Sequence, residues 1–343
     1  LINRLVDISV KMASRRKDDP DLLARMEVAA KGQSPQFLLV SPIDRSSQDL
    51  QLLDMRIGDA FHATRVPQMP LLPYDKAPVL FAGPAAYNRG FREKRGVILT
   101  FEFDESSEVV RDSLGSIAGH PDLKGLPVIA LKVDYEQGRA RLEPHRYGRD
   151  YAGENWVLSR MKRPEFVDES LLVVICSDSR VHPPSTPEGL PMAIQTLGGY
   201  VPRFTGAEDE SAQLNVFFEN WLGGTEENRR ILVVMHGSFR GEGPPCGAAH
   251  ASLNPEQIQN ERLRPRIAEL REAASRFEQV PPRTAEDRVI ALAAAIKENL
   301  LSYSPISERY KKVGGEFIEV ALMNTITNVL SPAGSQPVPS TPE

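Results

Sequence analysis

Cysteine is nearly missing from this chain: there are two in 343 residues, Cys176 and Cys246. That excludes a disulfide framework and leaves one bridge, two inert core thiols or a pair of thiolate ligands. Long apolar runs are missing too. The longest, residues 231–235 and 289–296, fall far short of the ~20 residues that a membrane span requires. There is no excess of basic charge: 41 Lys and Arg against 46 Asp and Glu give a net charge of −5, which argues against a nucleic-acid surface. The chain opens on Leu1 with neither Met nor an apolar signal core, which leaves room for a removed targeting segment. What is present is ordinary for a soluble protein. At 41% apolar and 25% charged residues the chain can bury a sizeable core, and its length suggests two domains.

Apolar runs at residues 37–40, 97–101, 127–133, 171–175, 231–235 and 317–323 predict buried strands, with a hairpin at 134–138. Helical patterns occupy the stretch to about Ala30 and residues 256–277 and 285–301, the last with Thr284 as cap and Glu286 and Asp287 in its first turn. Residues 143–164 are polar and irregular and read as a linker. Residues 331–343, rich in Ser and Pro, read as a loose tail. Strands alternating with helices predict an α/β fold with a largely parallel sheet.

The two halves also look alike. Without gaps, Phe37-Leu38-Leu39-Val40-Ser41 falls on Leu172-Val173-Val174-Ile175-Cys176, an offset of 135 residues. Residues 97–102 fall on 231–236 at an offset of 134, which sets Glu102 on His236. A nearly constant offset predicts a duplicated unit.

The chemistry is concentrated in the second half. Cys176, Asp178 and Arg180 stand at alternate positions just past a predicted strand, and open α/β sheets place their sites at the carboxyl ends of strands. Were that strand to continue, all three side chains would point to one side. Asp178 beside Arg180 reads as an oriented ion pair. His236 ends another strand, and Cys246 follows ten residues later across a Gly/Pro-rich insert. Cys, His and Cys form a suitable ligand set for Zn2+, with a fourth position left for water. His250, four residues beyond Cys246, reads as a helix-face residue, and Gly198-Gly199 as a turn close to the site.

Cys176-Ser177-Asp178-Ser179-Arg180-Val181, followed by a strand ending in His and by Cys246-Gly247-Ala248, resembles the β-class carbonic anhydrases. Looser likenesses lie in Arg56-Ile57-Gly58-Asp59-Ala60-Phe61, in Gly32-Gln33-Ser34-Pro35 and in Glu298-Asn299-Leu300-Leu301. The resemblance implies two β-carbonic-anhydrase-like domains, each a mainly parallel sheet flanked by helices, docked as an intramolecular pseudo-dimer. A degenerate domain spans residues 1–150 and a zinc-binding catalytic domain residues 160–330. Ser41, Ile43 and Glu102 stand in the first half where Cys, Asp and His stand in the second, so only the second half carries the motif.

The resemblance further implies reversible hydration of CO2 to bicarbonate by zinc-bound hydroxide. Cys176, His236 and Cys246 would hold Zn2+, Asp178 would orient the hydroxide, and Arg180 would fix Asp178. Two departures from the family stand out: the ten-residue interval between His236 and Cys246, and Thr196-Leu197-Gly198-Gly199-Tyr200 in place of an R-N-x-G-N segment. The alternatives are a carbonyl sulfide or carbon disulfide hydrolase and a zinc-binding pseudoenzyme with an assembly or regulatory role. The expected setting is a soluble protein of a reducing compartment, the cytoplasm or an organelle or microcompartment within it, with further homo-oligomerisation left open.

Overall fold

The computed structural model describes the chain except residues 17–18, 91–95, 144–156, 159–164, 225–227, 239–243, 279 and 334–343. Most of the predicted linker, most of the predicted tail and the middle of the insert between His236 and Cys246 therefore lie outside the described residues.

Two helices lead in: α1 (Ile2–Arg16) and α2 (Pro20–Lys31). Asp19 caps α2, accepting from the Leu22 N–H, and Pro20 sits where a missing N–H costs nothing. The first sheet comprises β1 (Phe37–Pro42), β2 (Ala60–Arg65), β3 (Gly96–Glu102), β4 (Val128–Asp134), β5 (Arg139–Leu142) and β6 (Val157–Leu158), in the order β2-β1-β3-β4-β5-β6. The last of these carries the first sheet past residue 150. Helices α3 (Ser46–Leu52), α4 (Ala82–Gly90) and α5 (Ser107–Gly119) connect its strands. The second sheet comprises β7 (Val167–Cys176), β8 (Leu190–Thr196), β9 (Arg230–Gly237), β10 (Ile318–Asn324) and β11 (Leu330–Pro332). Its helices are α6 (Glu210–Leu222), α7 (Gly247–Leu253), α8 (Leu263–Ser275), α9 (Ala285–Leu300) and α10 (Ser304–Val313).

Read from its β8 edge, the second sheet runs β8-β7-β9-β10-β11, the order of β2-β1-β3-β4-β5. Strand directions match as well: the first three pairings of each series are parallel and the fourth antiparallel. The central strands are apolar throughout because both sheet faces are covered. Leu171 to Ile175 and Ile231 to Met235 are all buried.

Pairing register corrects one part of the sequence alignment. Phe37 pairs with Gly96 and Leu172 with Ile231, so β3 falls on β9 at the same 135-residue offset as β1 on β7. Phe101, not Glu102, occupies the position of His236. Glu102 lies one residue further on and pairs with Arg45 at 2.6 Å. The predicted helix over 256–277 is also shorter than expected. Pro255–Gln257 forms a single tight turn, and α8 begins only at Leu263. Helix α9 matches its prediction, with a full capping box between Thr284 and Asp287.

One hydrophobic core runs through both halves, joining Leu38, Phe61 and Leu99 to Leu172, Ile194 and Val233. At the junction β2 lies against β8. The two halves exchange hydrogen bonds nearly symmetrically: the Ala193 N–H donates to the Ile43 carbonyl at 3.0 Å and the His62 N–H to the Ser177 carbonyl at 3.2 Å. Ile43 and Ser177 follow the equivalent strands β1 and β7. Helix α3, with Ser46, Ser47 and Gln48, is polar in sequence yet buried, because these side chains donate to the carbonyls of Ala193, Pro191 and Glu165 in the second half.

Candidate metal centre

Strand β7 stops at Cys176, so the period-two argument for residues 176–180 does not hold. The convergence is achieved by a turn instead. The Asp178 carboxylate accepts the Arg180 backbone N–H at 2.9 Å, then Arg180 Nε at 2.8 Å and Nη2 at 2.5 Å. This folds the chain back on itself and buries both side chains, 2% and 3% exposed. Arg180 Nη2 also donates to the carbonyl of Pro245 at 3.1 Å, tying the pair to the residue before Cys246. Asn328 donates from Nδ2 to the Arg180 carbonyl at 3.2 Å.

The structure brings Cys176, His236 and Cys246 together. One donor atom from each lies within 4.8 Å of the others, and all three residues are buried. Cys176 ends β7, His236 lies next to last in β9, and Cys246 immediately precedes α7. His236 Nδ1 lies 3.0 Å from Thr325 Oγ1, which leaves Nε2 on the side of the sulfurs. That Nε2 is buried without a hydrogen bond to nitrogen or oxygen among the described residues, 3.8 Å from Asp178 Oδ2.

The two thiols behave as a pair. The hydrogen bond with Cys246 pushes Cys176 well above the usual thiol range, and burial adds to it. The same bond pulls Cys246 well below that range, against burial and with His236 and the Ala249 N–H assisting. Two thiolates packed this closely would repel each other, so deprotonating both calls for a cation between them. Burial pushes the Asp178 carboxyl up, but the Arg180 hydrogen bonds and the nearby positive charge outweigh it, so Asp178 sits below its ordinary value. Two sulfurs, an imidazole nitrogen facing them and a fixed carboxylate beside them fit Zn2+ as a donor set.

Gly198 and Gly199 close one side of the site. Their φ values are 70° and 67°, and a Cβ on Gly199 would lie 3.3 Å from the Ile175 carbonyl carbon and 3.4 Å from the Cys176 nitrogen. The first half supplies another wall. Gly58 donates to the Ser179 carbonyl at 2.7 Å. A Cβ on Gly83 would meet Phe61 at 3.1 Å and Ser177 Oγ at 3.8 Å, and Gln33 Nε2 approaches Gly247 with its Oε1 buried and unpartnered among the described residues. His250 lies exposed on α7 and is not part of the ligand trio.

The solved structures similar to this chain are β-carbonic anhydrases. They include the β-carbonic anhydrase CcaA, at 19% identity over 47% of this chain and 77% of that one, with a TM-score of 0.35. CafA of Aspergillus fumigatus is 15% identical over 49% of this chain and 77% of its own, TM-score 0.36. A tetrameric enzyme from Sordaria macrospora is 13% identical over 48% and 81%, TM-score 0.35. No family model and no curated protein matches the chain.

The first half holds fixed charges where the second holds this site. Ser41 stands at the position of Cys176, and both pair with a threonine, Thr64 and Thr196. Phe101 stands at the position of His236 and Lys132 at that of Met323. The Arg65 guanidinium lies over the Phe101 ring at 4.6 Å and pairs with buried Glu105, while Lys132 Nζ donates to the Glu105 carbonyl at 2.7 Å. Sequence reasoning missed Thr325, Asn328 and the reach of Gln33 across the junction.

Proposed function

We propose that the protein is a zinc-dependent carbonic anhydrase, interconverting CO2 and bicarbonate in its second half. The observation that carries this reading is the buried Cys176–His236–Cys246 trio beside the doubly hydrogen-bonded Asp178–Arg180 pair. The three side chains would hold Zn2+, whose Lewis acidity lowers the pKa of a water it holds to about 7 and so supplies a nucleophile at neutral pH.

The remaining work falls to the chain itself. Thr325 Oγ1 lies 3.0 Å from His236 Nδ1, and a ring that ligates through Nε2 would carry its proton on Nδ1 and donate it to that oxygen. Arg180 keeps Asp178 ionised and oriented. Held in its charged form by two Arg180 hydrogen bonds, Asp178 serves as a hydrogen-bond acceptor that would orient the nucleophile's proton and leave a lone pair toward the CO2 carbon. Burial at the junction of the halves excludes bulk water. The first half, residues 1–150, acts as a wall rather than a second catalyst, because Ser41 and Phe101 cannot ligate as Cys176 and His236 do. The common strand order and constant offset support a duplicated unit docked on itself as a pseudo-dimer, and two free thiols suit a reducing compartment.

The test is metal content and CO2 hydration measured on one preparation. About one equivalent of zinc with fast hydration, both lost in Cys176→Ser, is the expected result. Asp178→Ala is expected to keep its zinc while kcat falls by two or more orders of magnitude. Zinc without turnover in the wild type would make the protein a metal-binding pseudoenzyme, and absence of zinc would overturn the reading altogether.

A further inference from the structure

A cavity of about 300 Å3 opens at the junction of the halves and contains none of the residues of the metal centre. Tyr74, Pro78 and Phe81 line it from the first half; Arg262 and Pro265, at the start of α8, line it from the second. Part of its wall is His120, the residue that follows α5 and is only 2% exposed. The imidazole is held by its neighbours, tilted against Phe81 at 4.8 Å between centroids and edge-on to Tyr74 at 5.6 Å.

The tautomer of His120 follows from the geometry. Its Nδ1 accepts the Asp122 backbone N–H at 3.1 Å, so the ring proton belongs on Nε2. Burial pushes the His120 pKa down to about 4, which keeps the ring neutral at physiological pH. That Nε2–H has no hydrogen-bond acceptor among the described residues, although nearly the whole side chain is buried and lines the cavity. A fixed neutral donor among aromatic and proline faces is the kind of polar point that orients a small ligand in a mostly apolar pocket.

Charge narrows the choice of ligand. Arg262 donates from Nε and Nη2 to both oxygens of Asp122, at 2.7 and 2.6 Å, and Arg266 pairs with Glu269 at 2.7 Å. Asp75 and Glu261 on the lining offset the two guanidinium groups. No cationic excess remains to select an anion. We propose that this cavity binds a neutral, planar aromatic molecule whose ring lies among Tyr74, Phe81 and Pro265 and whose oxygen or ring-nitrogen acceptor takes the hydrogen bond from His120 Nε2. The site is independent of the metal centre and of the activity proposed for it.

The test titrates the full-length protein with nicotinamide and with benzamide, following protein NMR shifts, and uses cyclohexanecarboxamide as a probe with the same acceptor and no aromatic ring. Saturable binding at one site in the millimolar range or tighter is expected for the aromatic amides, with the saturated amide at least several-fold weaker. His120→Phe keeps the ring and removes the donor. Tyr74→Ala removes a stacking wall from a side chain that is 41% exposed, so folding is not at stake there. Each variant should weaken binding about tenfold. Undiminished affinity in either folded variant, equal binding of cyclohexanecarboxamide, or no saturation by either aromatic probe up to ~10 mM would overturn the proposal.

Discussion

At the scale of single residues, the proposed zinc ligands differ sharply in how visible they are from sequence. Cys176, Cys246 and His236 were legible because thiols and imidazoles are rare here and carry few uses besides packing, ligation and redox chemistry. Thr325 was not. A threonine 89 residues beyond His236 has no spacing signature, and its hydroxyl matters only because β10 pairs with β9 and brings it 3.0 Å from Nδ1. Thr325 is itself fixed by donating its backbone N–H to the Gly237 carbonyl at 3.1 Å. A group that sets the tautomer and rotation of a ligating histidine typically contributes ten- to hundredfold in metal affinity. Thr325→Val preserves shape and removes only the hydroxyl, so zinc affinity measured by chelator competition should fall by about that factor while the fold persists. Unchanged affinity would mean that the ring is held by packing alone. Gln33 went unremarked as a site residue for a related reason: it belongs to the half without the motif, and only docking carries it to Gly247.

At the scale of elements, the apolar strands β1, β3, β4, β7, β9 and β10 could be read directly, since unbroken apolar runs suit strands covered on both faces. Strands β2 and β8 were harder. Ala60–Arg65 contains His62, Thr64 and Arg65, and Leu190–Thr196 contains Pro191 and Gln195, yet every residue of both is buried. Their polar groups are covered by the opposite half, which no pattern confined to one segment can display. The turn after β8 is the other structural key. At Gly199 a positive φ coincides with close approach to the backbone of Ile175 and Cys176, whereas Gly206 has a similar φ of 76° and nothing within 4 Å of an added Cβ. Gly206→Ala should therefore carry only the conformational penalty, about 1 kcal/mol. Gly199→Ala should cost on the order of 2–3 kcal/mol and also displace Cys176, lowering zinc content. Urea denaturation of the two variants side by side checks this, and equal losses would show that the close approach is without consequence.

For the whole molecule the central question is whether the halves are two folding units or one. The sequence offset suggested duplication, and the matching strand orders agree with it, but duplication alone would allow two domains joined like beads. The junction argues for something tighter. The core is continuous from β3 through β1 and β2 into β8, β7 and β9. Buried polar groups among the described residues are satisfied across it: Thr64 Oγ1 accepts the Gln195 N–H at 2.9 Å, and the Glu210 carboxylate accepts the Val79 and Leu80 N–H groups at 2.8 and 2.9 Å. Separating the halves would strand these groups, at about 1–3 kcal/mol each, and expose a large apolar face as well. The two halves are therefore expected to unfold together. Urea unfolding of the full chain should accordingly give one transition, coincident by far-UV circular dichroism and tryptophan fluorescence. Residues 160–343 expressed alone should fail to hold zinc although they contain Cys176, His236 and Cys246. Two resolved transitions, or a stable zinc-loaded fragment, would instead make the first half a detachable neighbour, and the wall it forms around the metal centre would be incidental to the chemistry.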